Sequence, residues 1–232
     1  MSVTAILLAA GQGSRLKTGV SKPLVLLNKK PLIQYSLETL NSHPDISALI
    51  VVVNPGNKKA VCSLIKRLGI DKVRCIIEGG LRRQDSVFNG LSRLDTSPDS
   101  VLIHDSARPF IENKCITETV AEALKSGAAV AGVPVKSTIK QAAVLNRRRG
   151  ISVVKTLQRE NLWEIQTPQV FKKKIILEAF AAFGRSDVTD DAMMVEKLGY
   201  PVSIVQGSYY NIKITTPEDL ILGEAIAKKL IR

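Results

Sequence analysis

Four short apolar runs, residues 3–9 (VTAILLA), 48–53 (ALIVVV), 73–77 (VRCII) and 101–104 (VLIH), lack the polar/apolar alternation of a half-exposed strand. Runs of that kind suit strands covered on both faces. Segments with helical periodicity separate them. In 58–69, Val61, Leu64, Ile65 and Leu68 share one helix face, and Gly69 stands where a C-cap glycine closes a helix. In 31–42, Pro31 suits a first helical position, with Ile33, Leu37 and Leu40 on one face. In 85–94, Asp85 suits an N-cap and Val87, Phe88, Leu91 and Leu94 form a buried side. Strand and helix in alternation dictate an α/β fold, a Rossmann-like and mostly parallel twisted sheet flanked by helices.

Further strands are expected at 128–135 and 202–206, and further helices near 114–126, 173–183, 189–198 and 217–230. The last opens on Thr216-Pro217-Glu218-Asp219, a capping residue, a first-turn proline and two acids at the positive end of the helix. With 232 residues and no repeat or low-complexity linker, the chain suits one domain over 1–232. The segment 134–160 stands apart as an inserted arm. From Pro134 to Arg159 it carries seven basic residues (Lys136, Lys140, Arg147, Arg148, Arg149, Lys155, Arg159) and no acid. Two strand-like pieces around a turn at Gly150 predict a projecting β-hairpin. An isolated hairpin is marginal in water, which calls for a partner surface such as a second copy of the chain.

The formal charge of +12 admits two classes of partner, nucleic acid or small phosphorylated substrates. A nucleic-acid-binding protein is the less favoured: the chain has one Trp, and the basic segment has no interleaved aromatics apart from Trp163 downstream. Cys62, Cys75 and Cys115 are odd in number and far apart, as small hydrophobes in a reducing compartment would be. With only His43 and His104, a zinc site of Cys and His is not expected. No apolar run reaches the roughly 18 residues of a membrane span. No basic region precedes the first apolar segment, so a soluble, cytoplasmic protein is expected.

In an open parallel sheet, ligands bind beyond the carboxyl ends of the strands, which directs attention to residues 9–22. Gly11 and Gly13 permit close approach of backbone N–H groups to an anion. Position 16 is Leu, so the dinucleotide fingerprint fails, and no GxxxxGK[ST] P-loop is present. What remains is AAGQGSRL with Arg15, then Lys22-Pro23. Clustered cations suit a triphosphate, whose charge shifts onto pyrophosphate during displacement at the α-phosphorus. The plainer alternative is a βα turn with two solvated basic residues.

The run LAAGQGSRL followed by KP resembles the opening of the sugar-phosphate nucleotidylyltransferases. GGLRRQDSVFNGL (79–91), HDSARPFI (104–111), VPVKSTIKQ (134–141), TLQRENLWEIQTPQVF (156–171), SDVTDDAMMVEKLG (186–199) and NIKITTPEDL (211–220) narrow it. Together these motifs resemble the 2-C-methyl-D-erythritol 4-phosphate cytidylyltransferase family of the non-mevalonate isoprenoid pathway, over essentially the whole chain. The resemblance implies a nucleotidyltransferase fold, CTP and methylerythritol phosphate as substrates, and a Mg²⁺ or other divalent ion on the triphosphate. It also implies a homodimer interlocked through the arm.

By that resemblance Arg15 and Lys22 stabilise the transition state on the triphosphate, while Arg159 and Lys213 position the acceptor phosphate. Ala9, Ala10, Gly11 and Gly13, with Gly80 and Ser86, match the cytidine-binding side, where Ser86 has helix capping as its alternative. Asp105 and Arg108 follow the run 101–104 at the carboxyl edge of the sheet. Asp105 suits either Mg²⁺ or hydroxyl groups of nucleotide and acceptor, and Arg108 suits phosphate; a mutual ion pair shaping the loop is the alternative. Thr138, Thr167 and Thr189 match other acceptor-contacting positions. Two positions depart from the family pattern: Ser137 stands where Asp is frequent, and Pro23 removes a backbone donor next to Lys22. A ribitol 5-phosphate cytidylyltransferase shares several of these motifs and is the nearest rival.

Overall fold

The computed structural model describes residues 2–11, 13–16, 19–96, 98–146 and 150–230, so the Arg147 to Arg149 tip of the expected hairpin lies outside the described residues. In chain order, β1 (Val3–Ala9), β2 (Leu26–Leu27) and β3 (Lys30–Pro31) lead into α1 (Leu32–Ser42). Then β4 (Ile46–Val53), α2 (Lys58–Leu68), β5 (Val73–Glu78), α3 (Arg83–Leu91), β6 (Ser100–Asp105) and α4 (Asn113–Ser126) alternate strand with helix. The second half comprises β7 (Ala128–Pro134), β8 (Lys140–Asn146), β9 (Gly150–Thr156) and β10 (Trp163–Lys172). It closes with α5 (Lys173–Phe183), α6 (Asp191–Lys197), β11 (Ser203–Gln206) and α7 (Pro217–Leu230).

One sheet of seven strands runs in the order β11-β7-β10-β6-β1-β4-β5. β1 pairs in parallel with both β4 and β6, Ala5 lying opposite Leu49 on one side and Leu102 on the other. β5 and β11 are also parallel to their neighbours. Alternate side chains of β1 serve opposite faces, which is why its sequence is apolar throughout. Ala5 and Leu7 pack with Ile33 of α1, Val61 of α2 and Ile116 of α4. Ile6 and Leu8 pack with Val87 of α3, Ile176 of α5 and Val195 of α6. Each fully buried Leu or Ile contributes roughly 1.5–3 kcal/mol, so this two-sided core holds the strand ends rigidly. A third cluster of Leu16, Val25, Leu27, Tyr35, Phe110, Ile214 and Ile226 anchors the loop after β1 against α7.

The expected α/β sheet and its helices are present, with four local corrections. Pro31 occupies the N-cap of α1 rather than its first helical position. Asp85 is the third residue of α3, where its carboxylate accepts the N–H of Arg82 at the N-cap, 3.0 Å away. Phe88 is 55% exposed and stacks on Phe180 instead of entering the core. Finally, β10 was not expected, yet it lies inside the sheet, antiparallel to β6 and β7. Its segment QTPQ places polar residues and a proline in the middle of a central strand, against the usual composition of such strands.

The arm is a separate two-stranded antiparallel sheet, β8 with β9, in which Val144 faces Ile151 across the strands. Val144, Ile151, Val153 and Val154 are all exposed. Among the described residues no helix is long and apolar enough to cross a membrane, and the three cysteines are free.

Candidate active site

β1 reverses the direction of sheet growth: the chain adds β4 and β5 on one side, then crosses to β6 on the other. Open α/β sheets form their ligand crevice at such a switch point. A cleft of about 610 Å³ opens there, lined by Ala10, Gly11, Lys22, Gly79, Gly80, Arg83, Ser86, Asp105 and Lys213 among others. The loop after β1 is pinned at both ends. Asn57 donates its side-chain N–H groups to the carbonyl of Ala9 at 3.2 Å and to the Ser21 hydroxyl at 2.9 Å. Leu16, next to Arg15, and Val25, three residues after Lys22, are both buried.

Lys22 opens a 3-10 turn, Lys22–Leu24, with buried Pro23 as its second residue. The leading N–H groups of a helical turn have no partner within it, so the missing N–H of Pro23 costs the turn nothing. The Lys22 ammonium makes no hydrogen bond or ion pair with any described residue. Burial, reinforced by the charges of Lys213 and Arg15 and opposed by Asp105 and Asp219, pulls it down to about 8. A cation held partly out of water, with no ion pair among the described residues and only partly offset by Asp105 and Asp219, is a standing cost that an anionic ligand removes. Arg15 sits exposed in the preceding turn, Ser14–Leu16.

Asp105, at the end of β6, is 7% exposed and takes a cation on each oxygen. Arg83 Nε lies 3.0 Å from Oδ1, and Lys213 Nζ 2.5 Å from Oδ2. Burial alone would push this carboxyl up, but Arg83 and Lys213 hold it well below the usual carboxylate range. The Arg83 guanidinium also donates from Nη1 to Asp191 Oδ2 at 2.7 Å. Asp191 is fully buried, which pushes its carboxyl upward against the pull of Arg83.

The HDSARP turn is held from beneath. His104 donates Nε2–H to the Arg108 carbonyl at 3.0 Å, so its Nδ1 accepts from the Thr167 hydroxyl at 2.8 Å. That hydroxyl oxygen in turn accepts the Asp105 N–H at 3.3 Å. Complete burial keeps His104 neutral, its pKa lowered to about 4. Arg108 does not pair with Asp105. Its guanidinium donates to the carbonyls of Asn211 (2.8 Å) and Ile165 (3.4 Å).

On the opposite wall, the N–H of Gly80 donates to the Ser86 hydroxyl at 3.1 Å, and that hydroxyl donates to the Arg82 carbonyl at 3.3 Å. Ser86 therefore does cap-like work while lining the cleft.

Thus Ala10, Gly11, Lys22, Gly80, Ser86, Asp105 and Lys213 share one cavity. Ala9 is buried at the end of β1 and Gly13 packs on Lys22. Thr167 is buried with its hydroxyl engaged beneath the turn, and Thr189 is exposed just before α6, donating weakly to Met193 Sδ at 3.7 Å. Thr138 and Arg159 do not line the cavity. Thr138 is exposed between β7 and β8, and Arg159 sits at the root of the arm, donating to the Lys136 carbonyl at 3.1 Å. Arg83, Asp191, His104 and Asn57 were not singled out from sequence. Arg83 shares a helix face with Val87 and Leu91, and Asp191 with Met194 and Val195, a phase that demands buried charge partners.

The family model of 2-C-methyl-D-erythritol 4-phosphate cytidylyltransferase (IspD) matches residues 3–229. The protein of that name from Alkaliphilus metalliredigens is 42% identical over 229 residues, covering 97% of this chain and 92% of the relative. That from Pelotomaculum thermopropionicum is 44% identical over 229 residues, covering 97% and 94%. Among solved structures, the cytidylyltransferase of the same name from Thermus thermophilus has a TM-score of 0.78 at 30% identity, covering 98% of this chain and 100% of the other. The 4-diphosphocytidyl-2C-methyl-D-erythritol synthase from Anaerococcus prevotii has a TM-score of 0.84 at 29% identity, covering 97% and 96%. With a family match that runs from β1 into α7 and relatives aligned almost end to end, the chain belongs to the 2-C-methyl-D-erythritol 4-phosphate cytidylyltransferase family.

Proposed function

We propose that the cleft beyond β1 and β6 performs the family's reaction with fixed positive charge and backbone dipoles. The reaction transfers CMP from CTP to 2-C-methyl-D-erythritol 4-phosphate in the non-mevalonate isoprenoid pathway. An acceptor phosphate oxygen forms a bond to the α-phosphorus of CTP. The bond from that phosphorus to the β-bridging oxygen breaks, and its electron pair leaves on pyrophosphate. The nucleophile is already an anion near neutral pH, so no general base is needed. What the protein must supply is alignment of two reactants that repel each other, and neutralisation of the charge that grows on the leaving group.

The observation that carries this reading is the partly buried Lys22 ammonium beside Arg15 and Lys213, which has no ion-pair partner among the described residues. Lys22 and Arg15 receive the triphosphate, Arg as a bidentate clamp and Lys as a compact charge. Backbone at Ala9, Ala10, Gly11, Gly13 and Gly80, with Ser86, takes the cytidine end, where a small ring read by backbone groups and one hydroxyl favours a pyrimidine. Lys213 and Arg159 hold the acceptor phosphate; Asp105, Arg108, Thr138 and Thr189 face the acceptor, with Thr167 supporting the turn. Because Arg159 does not line the cleft of its own chain, we infer a homodimer whose arm carries Thr138 and Arg159 to the neighbouring copy. The exposed apolar residues of the hairpin support that pairing.

With each oxygen already facing a cation, Asp105 does not fit as a metal ligand. Among the described residues no group of three or more His, Cys, Asp or Glu is placed to hold a metal ion. Mg²⁺ is instead expected to travel on the triphosphate oxygens and water, where it neutralises phosphate charge. Turnover of CTP with methylerythritol phosphate, compared with ribitol 5-phosphate, tests the reading. Faster turnover of methylerythritol phosphate supports it, and preference for ribitol phosphate defeats the assigned acceptor.

A further inference from the structure

We propose that Arg83 is a positioning residue for the acceptor side of the reaction, its guanidinium forked between Asp191 and Asp105 so that the Asp105 carboxylate holds Lys213 in place. The inference rests on the cytidylyl-transfer reading above. Three contacts form one continuous line: Asp191 Oδ2 to Arg83 at 2.7 Å, Arg83 to Asp105 Oδ1 at 3.0 Å, and Asp105 Oδ2 to Lys213 at 2.5 Å. Lys213 belongs to a segment without regular secondary structure, and among the described residues Asp105 is the one side-chain partner of its ammonium. The place of Lys213 therefore follows from the place of Asp105. Asp105 has its other oxygen fixed by Arg83, whose own backbone is locked by Val87 and Leu91 in the core.

The far end of the line explains why the fork is needed. Asp191 begins α6, two residues after Thr189, and it is fully buried with Oδ1 unpartnered. Buried ion pairs contribute little net stability compared with apolar packing, so a pair kept here has its use in geometry. A guanidinium is planar and presents donors in fixed directions, and it reaches both carboxylates at once. A lysine ammonium is a point charge that cannot hold two groups in one plane. The cytidine wall does not depend on this line. Its loop is held by the Arg82–Asp85 capping contacts and by Gln84, which donates to the carbonyls of Gly184 and Ser186. Arg83 thus links the segment carrying Thr189 to the cation proposed for the acceptor phosphate, while the cytidine wall keeps its own supports.

The test is steady-state kinetics with CTP and methylerythritol phosphate varied separately, alongside melting temperatures, for Arg83→Lys, Asp191→Asn and the double variant Arg83→Met with Asp191→Asn. The double variant leaves no unpaired carboxylate at 191, and Asp191→Asn alone keeps the Arg83–Asp105 contact. Misplacing a reacting group by about 1 Å costs about 100-fold. We expect the double variant to stay folded, to lose about 100-fold in kcat/KM for the acceptor, and to keep its KM for CTP within about threefold. Arg83→Lys should restore only part of the loss, and Asp191→Asn should fall between it and the native chain. Unchanged acceptor kinetics in any folded Arg83 variant would overturn the proposal. So would loss of CTP and acceptor affinity in parallel with melting temperature, the pattern of mere structural loosening. Failure of the native chain itself to turn over these two substrates would overturn the underlying reading as well, and the native control identifies that case.

Discussion

Gly13 and Lys22 meet where no side chain fits between them: a Cβ on Gly13 would lie 2.6 Å from the Lys22 Cβ. Gly13 also has a φ of +70°, in the left-handed region. The glycine loop and the Lys22 cation are therefore one device, with the bare backbone at 13 setting the position of the ammonium stem at 22. Gly13→Ala should cost about 1–2 kcal/mol for the conformation alone and displace Lys22. Denaturant melts should register the first effect, and a rise in KM for CTP together with a fall in kcat the second.

If Lys22 receives the triphosphate as proposed, it sets activity against stability. Its pKa falls from 10.5 to about 8 in the folded chain. Between those values the unfolded chain holds a proton that the folded chain has released, so this group makes stability rise with pH through that window. Below pH 8 its full penalty applies. Lys22→Met should therefore raise the melting temperature of the ligand-free chain at pH 7, with the gain shrinking as the pH approaches 10.5. Paired melts of native and variant across that range measure the difference.

His104 gives a sensitivity of the same sign in a more acid window. Burial lowers its pKa from 6.5 to about 4, so on acidification the unfolded chain takes up the proton first. The stability tied to neutral His104 is complete above pH 6.5 and is lost as the pH falls toward 4. His104→Gln should be less stable than the native chain at pH 7, since its bonds to Thr167 and Arg108 are altered. Its stability should vary less between pH 6.5 and 4, which denaturant melts in that range will test.

A composite site makes a prediction about mixtures. If the arm of one copy serves the cleft of another, Arg159→Ala and Lys22→Ala each disable every site of their own homodimers. A hybrid of the two retains one intact cleft. Subunit exchange between the two inactive variants should restore activity toward one quarter of the native level, whereas no recovery in a mixture shown to contain hybrids would argue against the shared site.

The sheet was legible because β1, β4 and β6 are buried on both faces and must be apolar throughout. β10 was not, because its polar residues are buried for another purpose. Gln166 donates to the Ser208 carbonyl, Thr167 to His104, and Gln169 to Asp190, so this strand ties down the loops around the cleft. Arg15, Lys22 and Lys213 could be read from the glycine loop and the family motifs. Arg83 and Asp191 resemble ordinary charges at helix starts. Helix phase puts each on the inward face, but only the tertiary fold shows which opposite charge it meets there.

The most direct test of the account is pyrophosphate release from CTP and methylerythritol phosphate with Mg²⁺, for the native chain and for Lys22→Ala. Removing a group that stabilises developing transition-state charge costs about 100- to 1,000-fold in kcat. The account predicts a folded variant with a loss of that size, and equal rates from the two proteins would contradict it.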